Sequence, residues 1–148
     1  YHPRTARLYT DYGLFTCDNA IGVDVQKLFH MLTAPGRAGK LKKLLQSPFT
    51  MHRTIIELIQ RETRRARAGL PARIIAKMNA LSEVQVIDAL YAASQAGVKV
   101  DLIVRGVCAL RPGLPGISDN IRVRSIVGRF LEHARVFFFN DTATTEIY

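Results

Sequence analysis

Three short stretches of this sequence carry residue types suited to holding phosphate. Val98, Val100, Leu102 and Val104 share one parity opposite Lys99 and Asp101, which reads as a β-strand ending at Arg105-Gly106. Open α/β sheets bind ligands in the crevice beyond the carboxyl ends of their strands. An arginine there offers a planar fork of donors to phosphate oxygens, and the glycine lets backbone approach closely. The competing reading pairs Arg105 with a carboxylate such as Asp119.

The second stretch runs from Pro112 through Gly113, Pro115, Gly116 and Asp119 to Arg122. Its glycines allow positive φ and its prolines stiffen the chain, so backbone N–H groups could line an anion nest with Arg122 beside it. No GxxxxGK[ST] motif is present, so this is not a Walker A loop. The third stretch is Glu132-His133-Ala134-Arg135, ahead of the apolar Val136-Phe137-Phe138. In a strand, His133 and Arg135 would share a face, placing an acid or nucleophile beside a phosphate-binding cation. A structural role for His133 stands as the alternative. His30 and His52 fall on helical stretches and read as packed or solvated side chains. No His/Cys/Asp/Glu spacing indicates a metal site.

These residues need a scaffold of alternating strands and helices. A short β-prone run, Tyr12 to Thr16, precedes Asp18-Asn19. Val25, Leu28, Phe29 and Leu32 recur at helical spacing, and Pro35-Gly36 stops that helix. The basic link Gly36 to Lys40 leads to an expected short strand over Leu41–Leu45. Thr50 is placed to cap a helix to about Ala68, with Ile55, Leu58 and Ile59 on one face and arginines in its last turns. A strand near Ile74-Ile75, a helix from Ser82-Glu83 to Ala96 and the strand to Val104 follow. A long loop over 106–120 leads to strands near Val123–Val127 and Arg135–Phe139. The pattern predicts an α/β layer fold, with residues 36–46 as the best domain junction.

Composition limits the field. With 21 Lys and Arg against 12 Asp and Glu, the 148-residue chain carries a formal charge of +9, which attracts polyanions. A basic solvated face complemented by acidic residues elsewhere in a longer protein would give the same figure. No apolar run is long enough to span a bilayer. Cys17 and Cys108 show neither a zinc nor a disulfide pattern, which suits a reducing cytoplasmic setting. The opening Tyr1-His2-Pro3-Arg4 has no initiator methionine and reads as the middle of a longer protein.

Several longer motifs occur in order. They are Thr5-Ala6-Arg7-Leu8-Tyr9-Thr10-Asp11-Tyr12, Gly69-Leu70-Pro71-Ala72, Lys77-Met78-Asn79-Ala80-Leu81 and Leu90-Tyr91-Ala92-Ala93-Ser94. Ile103 through Leu110, Gly116 through Arg122 and Ser125 through His133 continue the series. Together, over residues 3–137, they resemble the family-one polyphosphate kinases.

That resemblance implies a phospholipase-D-like mixed sheet with flanking helices. Residues 1–43 would end one catalytic domain and residues 44–137 would begin a second. It implies reversible transfer of the ATP γ-phosphate to polyphosphate through a phosphohistidine upstream of Tyr1. Tyr9, Arg105 and His133 match nucleotide-binding positions, with His133 catalytic, and Arg122 and Lys77 are further phosphate-binding candidates. His133-x-Arg135 resembles half of an HxK motif, with Arg in place of Lys. ATP and Mg²⁺ are the implied cofactors, with the metal-binding residues upstream. ATP, ADP and inorganic polyphosphate are the implied partners, with no nucleic acid required. A homo-oligomeric, cytoplasmic parent enzyme with peripheral membrane association is expected, and the isolated segment is expected to be inactive. Residues 138–148 depart from the family pattern and are expected to be a non-native tail. The rival reading is a non-catalytic basic module that binds nucleic acid or other polyanions through the arginines at 61–67.

Overall fold

A computed structural model describes residues 2–34 and 39–140. The chain forms two compact units: Gly13–Thr54 is one, and Tyr1–Tyr12 with Ile55–Tyr148 is the other. The second contains the α/β sheet. In chain order its elements are α1 (Pro3–Ala6), β1 (Tyr9–Thr10) and, after α2 (Asn19–Thr33) of the other unit, α3 (Met51–Arg67), which begins in that unit. Then come β2 (Arg73–Met78), α4 (Val84–Gln95), β3 (Lys99–Val104), β4 (Ile121–Arg124), β5 (Leu131–Glu132) and β6 (Val136–Phe139).

The main sheet has the order β4-β3-β2-β6, parallel from β4 to β2 with β6 antiparallel at the edge. Alternation decides which residues face the core. Ile74 and Ala76 of β2, Val100, Leu102 and Val104 of β3, and Ile121 of β4 are buried together with Ile59 of α3 and Ile87, Leu90 and Ala93 of α4. The opposite parity carries Arg73, Lys99, Asp101, Arg122 and Arg124, with an ion pair of 2.9 Å between Arg73 and Asp101. Helix α4 starts where Glu83 accepts the Val86 N–H at 2.7 Å. It stops at Gly97, whose φ of 94° turns the chain so that Val98 N–H reaches the Ala93 carbonyl.

Several expectations shift. The strand expected over Tyr12–Thr16 is absent; the pairing residues are Tyr9-Thr10, which bond to Leu131-Glu132. Leu41–Leu45 is likewise no strand. Its backbone is drawn to Asp24, a buried carboxylate on α2 that accepts the N–H groups of Lys42, Lys43 and Leu44 at 2.6, 2.6 and 3.1 Å. The Lys43 amide, with those of Leu44 and Lys42 and the Lys27 ammonium, holds the Asp24 carboxyl down to about 2. Thr50 does not reach forward to cap α3; its hydroxyl accepts the Gln46 N–H at 2.9 Å. Of the apolar face expected on α2, Val25, Phe29 and Leu32 are exposed. The expected stop at Pro35-Gly36 lies outside the described residues, and α2 ends at Thr33.

The first two residues of the tail expected from residue 138 lie in a strand. Phe138 and Phe139 complete β6, paired with Ile75 and Ile74, and Phe139 is only 7% exposed. The unbroken apolar run Val136-Phe137-Phe138-Phe139 suffices for edge pairing whatever follows, and residues 141–148 lie outside the described part. Phe139→Ala should therefore cost about 3 kcal/mol, as for other buried aromatics. A chain cut after Val136 should melt at lower temperature than the whole one, and an unchanged Tm would show that β6 adds nothing to the core.

Candidate functional site

β2 and β3 run parallel in register from Arg73↔Lys99 to Met78↔Val104, so both deliver their following residues to one end of the sheet. Those residues are Asn79 and Arg105. Their backbones are joined, since Arg105 N–H donates to the Met78 carbonyl at 3.1 Å and Gly106 N–H to the Asn79 carbonyl at 2.8 Å. A Cβ on Gly106 would stand 3.2 Å from that Asn79 oxygen, a tight contact that a side chain could enter only if the backbones parted by a few tenths of an ångström.

The half-buried Arg105 guanidinium donates one Nη1 hydrogen bond to the Glu132 carbonyl at 2.9 Å. The expected alternative, a pair with Asp119, does not form; Asp119 accepts the Gly116 N–H at 2.7 Å. Arg105 thereby holds the residue before His133.

His133 and Arg135 are not in one strand. β5 pairs with β1 and β6 pairs with β2, and the chain crosses between the two sheets at His133-Ala134-Arg135. The alternation that would place both side chains on one face does not apply to that crossing. His133 instead meets the edge of Tyr9, with ring centroids 5.3 Å apart and planes at 78°. Its Nδ1 lies 3.3 Å from the Asn79 Nδ2. Tyr9 and His133 line a cavity of about 330 Å³ with His2, Thr5, Ala6 and Asp11.

Lys77 points to the same region and is engaged there. Its ammonium is 2.8 Å from the Glu132 carboxylate and 3.4 Å from the Ala134 carbonyl, and it stands 6.0 Å from the Tyr12 ring centroid. Lys77 thus braces the residues on both sides of His133. The Lys77 ammonium, by hydrogen bond first and by charge, holds the Glu132 carboxyl below its usual value. A depressed carboxyl contributes stability above its ordinary pKa, and that contribution fades as pH falls through the lowered one. The native chain should therefore exceed Glu132→Gln in Tm at neutral pH, and the gap should close as pH drops below about 4. A gap that persisted at acid pH would show that the pair has no part in stability.

Arg122 is not brought to this cavity. It is exposed on the polar face of the sheet, in a groove of about 570 Å³ shared with Arg73, Lys99, Asp101 and Arg124. The loop before it is closed on itself and forms no open nest. Leu114 N–H bonds to the Ser118 hydroxyl, Gly113 N–H to the Ser118 carbonyl and Gly116 N–H to Asp119. Another cavity, of about 650 Å³, lies among Leu41, Leu44, Phe49 and Arg53 in the smaller unit. Volume does not choose among the three; the one lined by His133 is favoured because His133 also meets Asn79, which lies beside Arg105 beyond the strand ends.

Sequence reasoning missed Asn79 and the bracing role of Glu132. The strand-end rule that picked out Arg105 applies equally to Asn79, one residue past β2. The Lys77–Glu132 pair spans 55 positions and leaves no local signal. Among the described residues no three His, Cys, Asp or Glu side chains are grouped to hold a metal ion.

A mixed α/β sheet that gathers an arginine, an asparagine and a histidine beyond the ends of its parallel strands has the form of a ligand-binding α/β domain. The chain belongs to the polyphosphate kinase family: residues 44–148 match the family's "C-terminal domain 2" and residues 1–38 its "C-terminal domain 1". It is 63% identical over all 148 residues to the polyphosphate kinase of Burkholderia ambifaria and 59% identical to that of Neisseria meningitidis serogroup B. In both cases it spans 22% of the relative's length. The crystal structure of polyphosphate kinase from Porphyromonas gingivalis superposes with a TM-score of 0.85 at 39% identity, over 99% of this chain and 24% of that one. The phospholipase-D-like α/β class expected from the motifs is the class of that structure.

Proposed function

We propose that this chain is part of an ATP:polyphosphate phosphotransferase and supplies the side of the active site that receives the nucleotide and stabilises the transferring phosphoryl group. The observation that carries this is the convergence of Arg105, Asn79, Tyr9 and His133 at one end of the β2–β3 pair, in a member of this family. Residues 1–43 are read as the end of one catalytic domain and 44–137 as the start of the next. The histidine that accepts the γ-phosphoryl, and the residues that hold Mg²⁺, are assigned to a part of the protein preceding Tyr1.

In this reading Tyr9 gives the nucleotide an aromatic edge. Arg105 has one guanidinium branch on the Glu132 carbonyl and turns its remaining donors to phosphate oxygens. His133 donates a hydrogen bond to the phosphoryl group as charge shifts during transfer. Phosphoryl transfer depends on positioning and electrostatics, which fits a site built from braced donors. Lys77 acts through Glu132, and Arg122 belongs to the polar sheet face. A cytoplasmic, membrane-peripheral homo-oligomer is part of the same proposal.

The rival basic module draws on the arginines of α3. Two of them are engaged locally: Arg65 donates to the Pro71 carbonyl at 3.2 Å and Arg61 lies 3.6 Å from Glu62. Given magnesium and ATP, the 148-residue chain should form no acid-labile phosphohistidine, because His133 donates and does not accept. Labelling at His133 above background would overturn this. Polyphosphate binding should weaken with Arg105→Ala and withstand competing DNA; sensitivity only to Arg64→Ala and Arg67→Ala would favour the rival.

A further inference from the structure

We infer that Asn79 fixes the tautomer of His133, so that the imidazole carries its proton on Nε2 and serves the site as a hydrogen-bond donor. The inference deepens the proposed role of His133 and rests on it for its kinetic consequence, though not for the tautomer itself.

The contact is between Asn79 Nδ2 and His133 Nδ1, at 3.3 Å. An amide nitrogen only donates, so the imidazole nitrogen facing it must present its lone pair. In a neutral ring the proton then sits on Nε2, on the far edge from Asn79. His133 is the sole hydrogen-bond partner of the Asn79 side chain among the described residues, and the Asn79 Oδ1 is buried without one. The carboxamide is therefore not tied into another network that would explain its place.

Its position is well fixed all the same. The Asn79 carbonyl receives the Gly106 N–H, which locks the residue to the end of β3. The histidine is held from other sides: Tyr9 meets the ring, Arg105 binds the Glu132 carbonyl, and Lys77 binds both the Glu132 carboxylate and the Ala134 carbonyl. With backbone and ring both held, the Asn79 donor selects which nitrogen is left to act. An Nε2–H can donate to a phosphoryl oxygen and has no lone pair with which to attack phosphorus. Asn79 is thus a positioning residue that keeps His133 in a donor's role.

The test reads the ring nitrogens directly. The chain has four histidines, so the ¹⁵N-histidine spectrum can be assigned to His133 by comparison with His133→Gln. At a pH where the ring is neutral, the native chain should show a protonated Nε2 and an unprotonated Nδ1, and Asn79→Ala should show a mixture of tautomers. A proton on Nδ1 in the native chain would overturn the inference by itself, since the amide would then be accepting. So would an Asn79→Ala spectrum identical to the native one.

The second arm uses the full-length Burkholderia ambifaria polyphosphate kinase with the stretch matching residues 1–137 replaced by those residues of this chain and the enzyme's own continuation kept. There Asn79→Ala should lower kcat by roughly 10-fold, the lower end for partners that orient a functional group, with little change in KM for ATP. A change in KM alone would count against the positioning role. An Nε2–H tautomer in a chimera whose turnover ignores His133 would sink the proposed function and leave the tautomer standing.

Discussion

In that chimera, His133→Ala should reduce polyphosphate synthesis by about 10²–10⁴-fold, the range in which positioned proton-transfer and donor groups contribute. The loss should fall on kcat, because a donor to developing charge works harder in the transition state than in the bound ground state. Stability should hardly change. His133 is exposed and lies on a crossing between sheets, and the neighbouring chain is fixed by Arg105, Lys77 and the β1–β5 pairing, not by the imidazole. Steady-state kinetics and Tm measured together check both halves. Near-normal turnover, or outright unfolding, would make His133 a structural residue.

Arg105→Lys should be almost as damaging as Arg105→Ala, despite keeping the charge. The guanidinium can donate to the Glu132 carbonyl through one branch while its other N–H groups face a ligand. A lysine ammonium is a single point with no such fork. It would have to choose between holding the backbone before His133 and contacting phosphate. We expect a fall of roughly 10–100-fold in kcat/KM, the loss of one or two charge-assisted hydrogen bonds. Because Arg105 positions the residue preceding His133, the two sites should couple. The double variant Arg105→Lys/His133→Ala should lose clearly less than the product of the single losses. Full additivity would mean that Arg105 does not act on His133, and wild-type kinetics for Arg105→Lys would remove it from the site.

How much of this was legible in the sequence depends on whether each feature is local. The β3 strand was, because Val98 to Val104 alternate over a span where nothing competes with pairing. So was α4, which begins at an acidic cap and ends at a glycine. The place of Arg105 just past β3 was readable because the strand's alternation marks where it ends. Leu41–Leu45 misled for a physical reason: its apolar pattern suits a strand, yet a carboxylate some 20 residues earlier takes its backbone N–H groups. His133 and Arg135 misled in the same way, since the crossing between sheets is decided by β1 and β2, each distant in sequence. Lys77 reads as a phosphate-binding candidate, and its partner Glu132 lies too far along the chain to be seen from the sequence. Asn79 carried a readable signal, its position just past a strand, but its meaning depends on the ring it faces.

If these residues form the nucleotide-receiving side of a polyphosphate-forming site, they must support synthesis when set into a complete enzyme. The chimera is incubated with ATP and magnesium, and newly made polyphosphate is quantified against the native Burkholderia ambifaria enzyme. ATP-dependent chains should be made at a rate within about tenfold of that enzyme, the scale of the scatter expected from imperfectly matched contacts at the segment's borders. A chimera that folds and binds ATP yet makes no polyphosphate would contradict it.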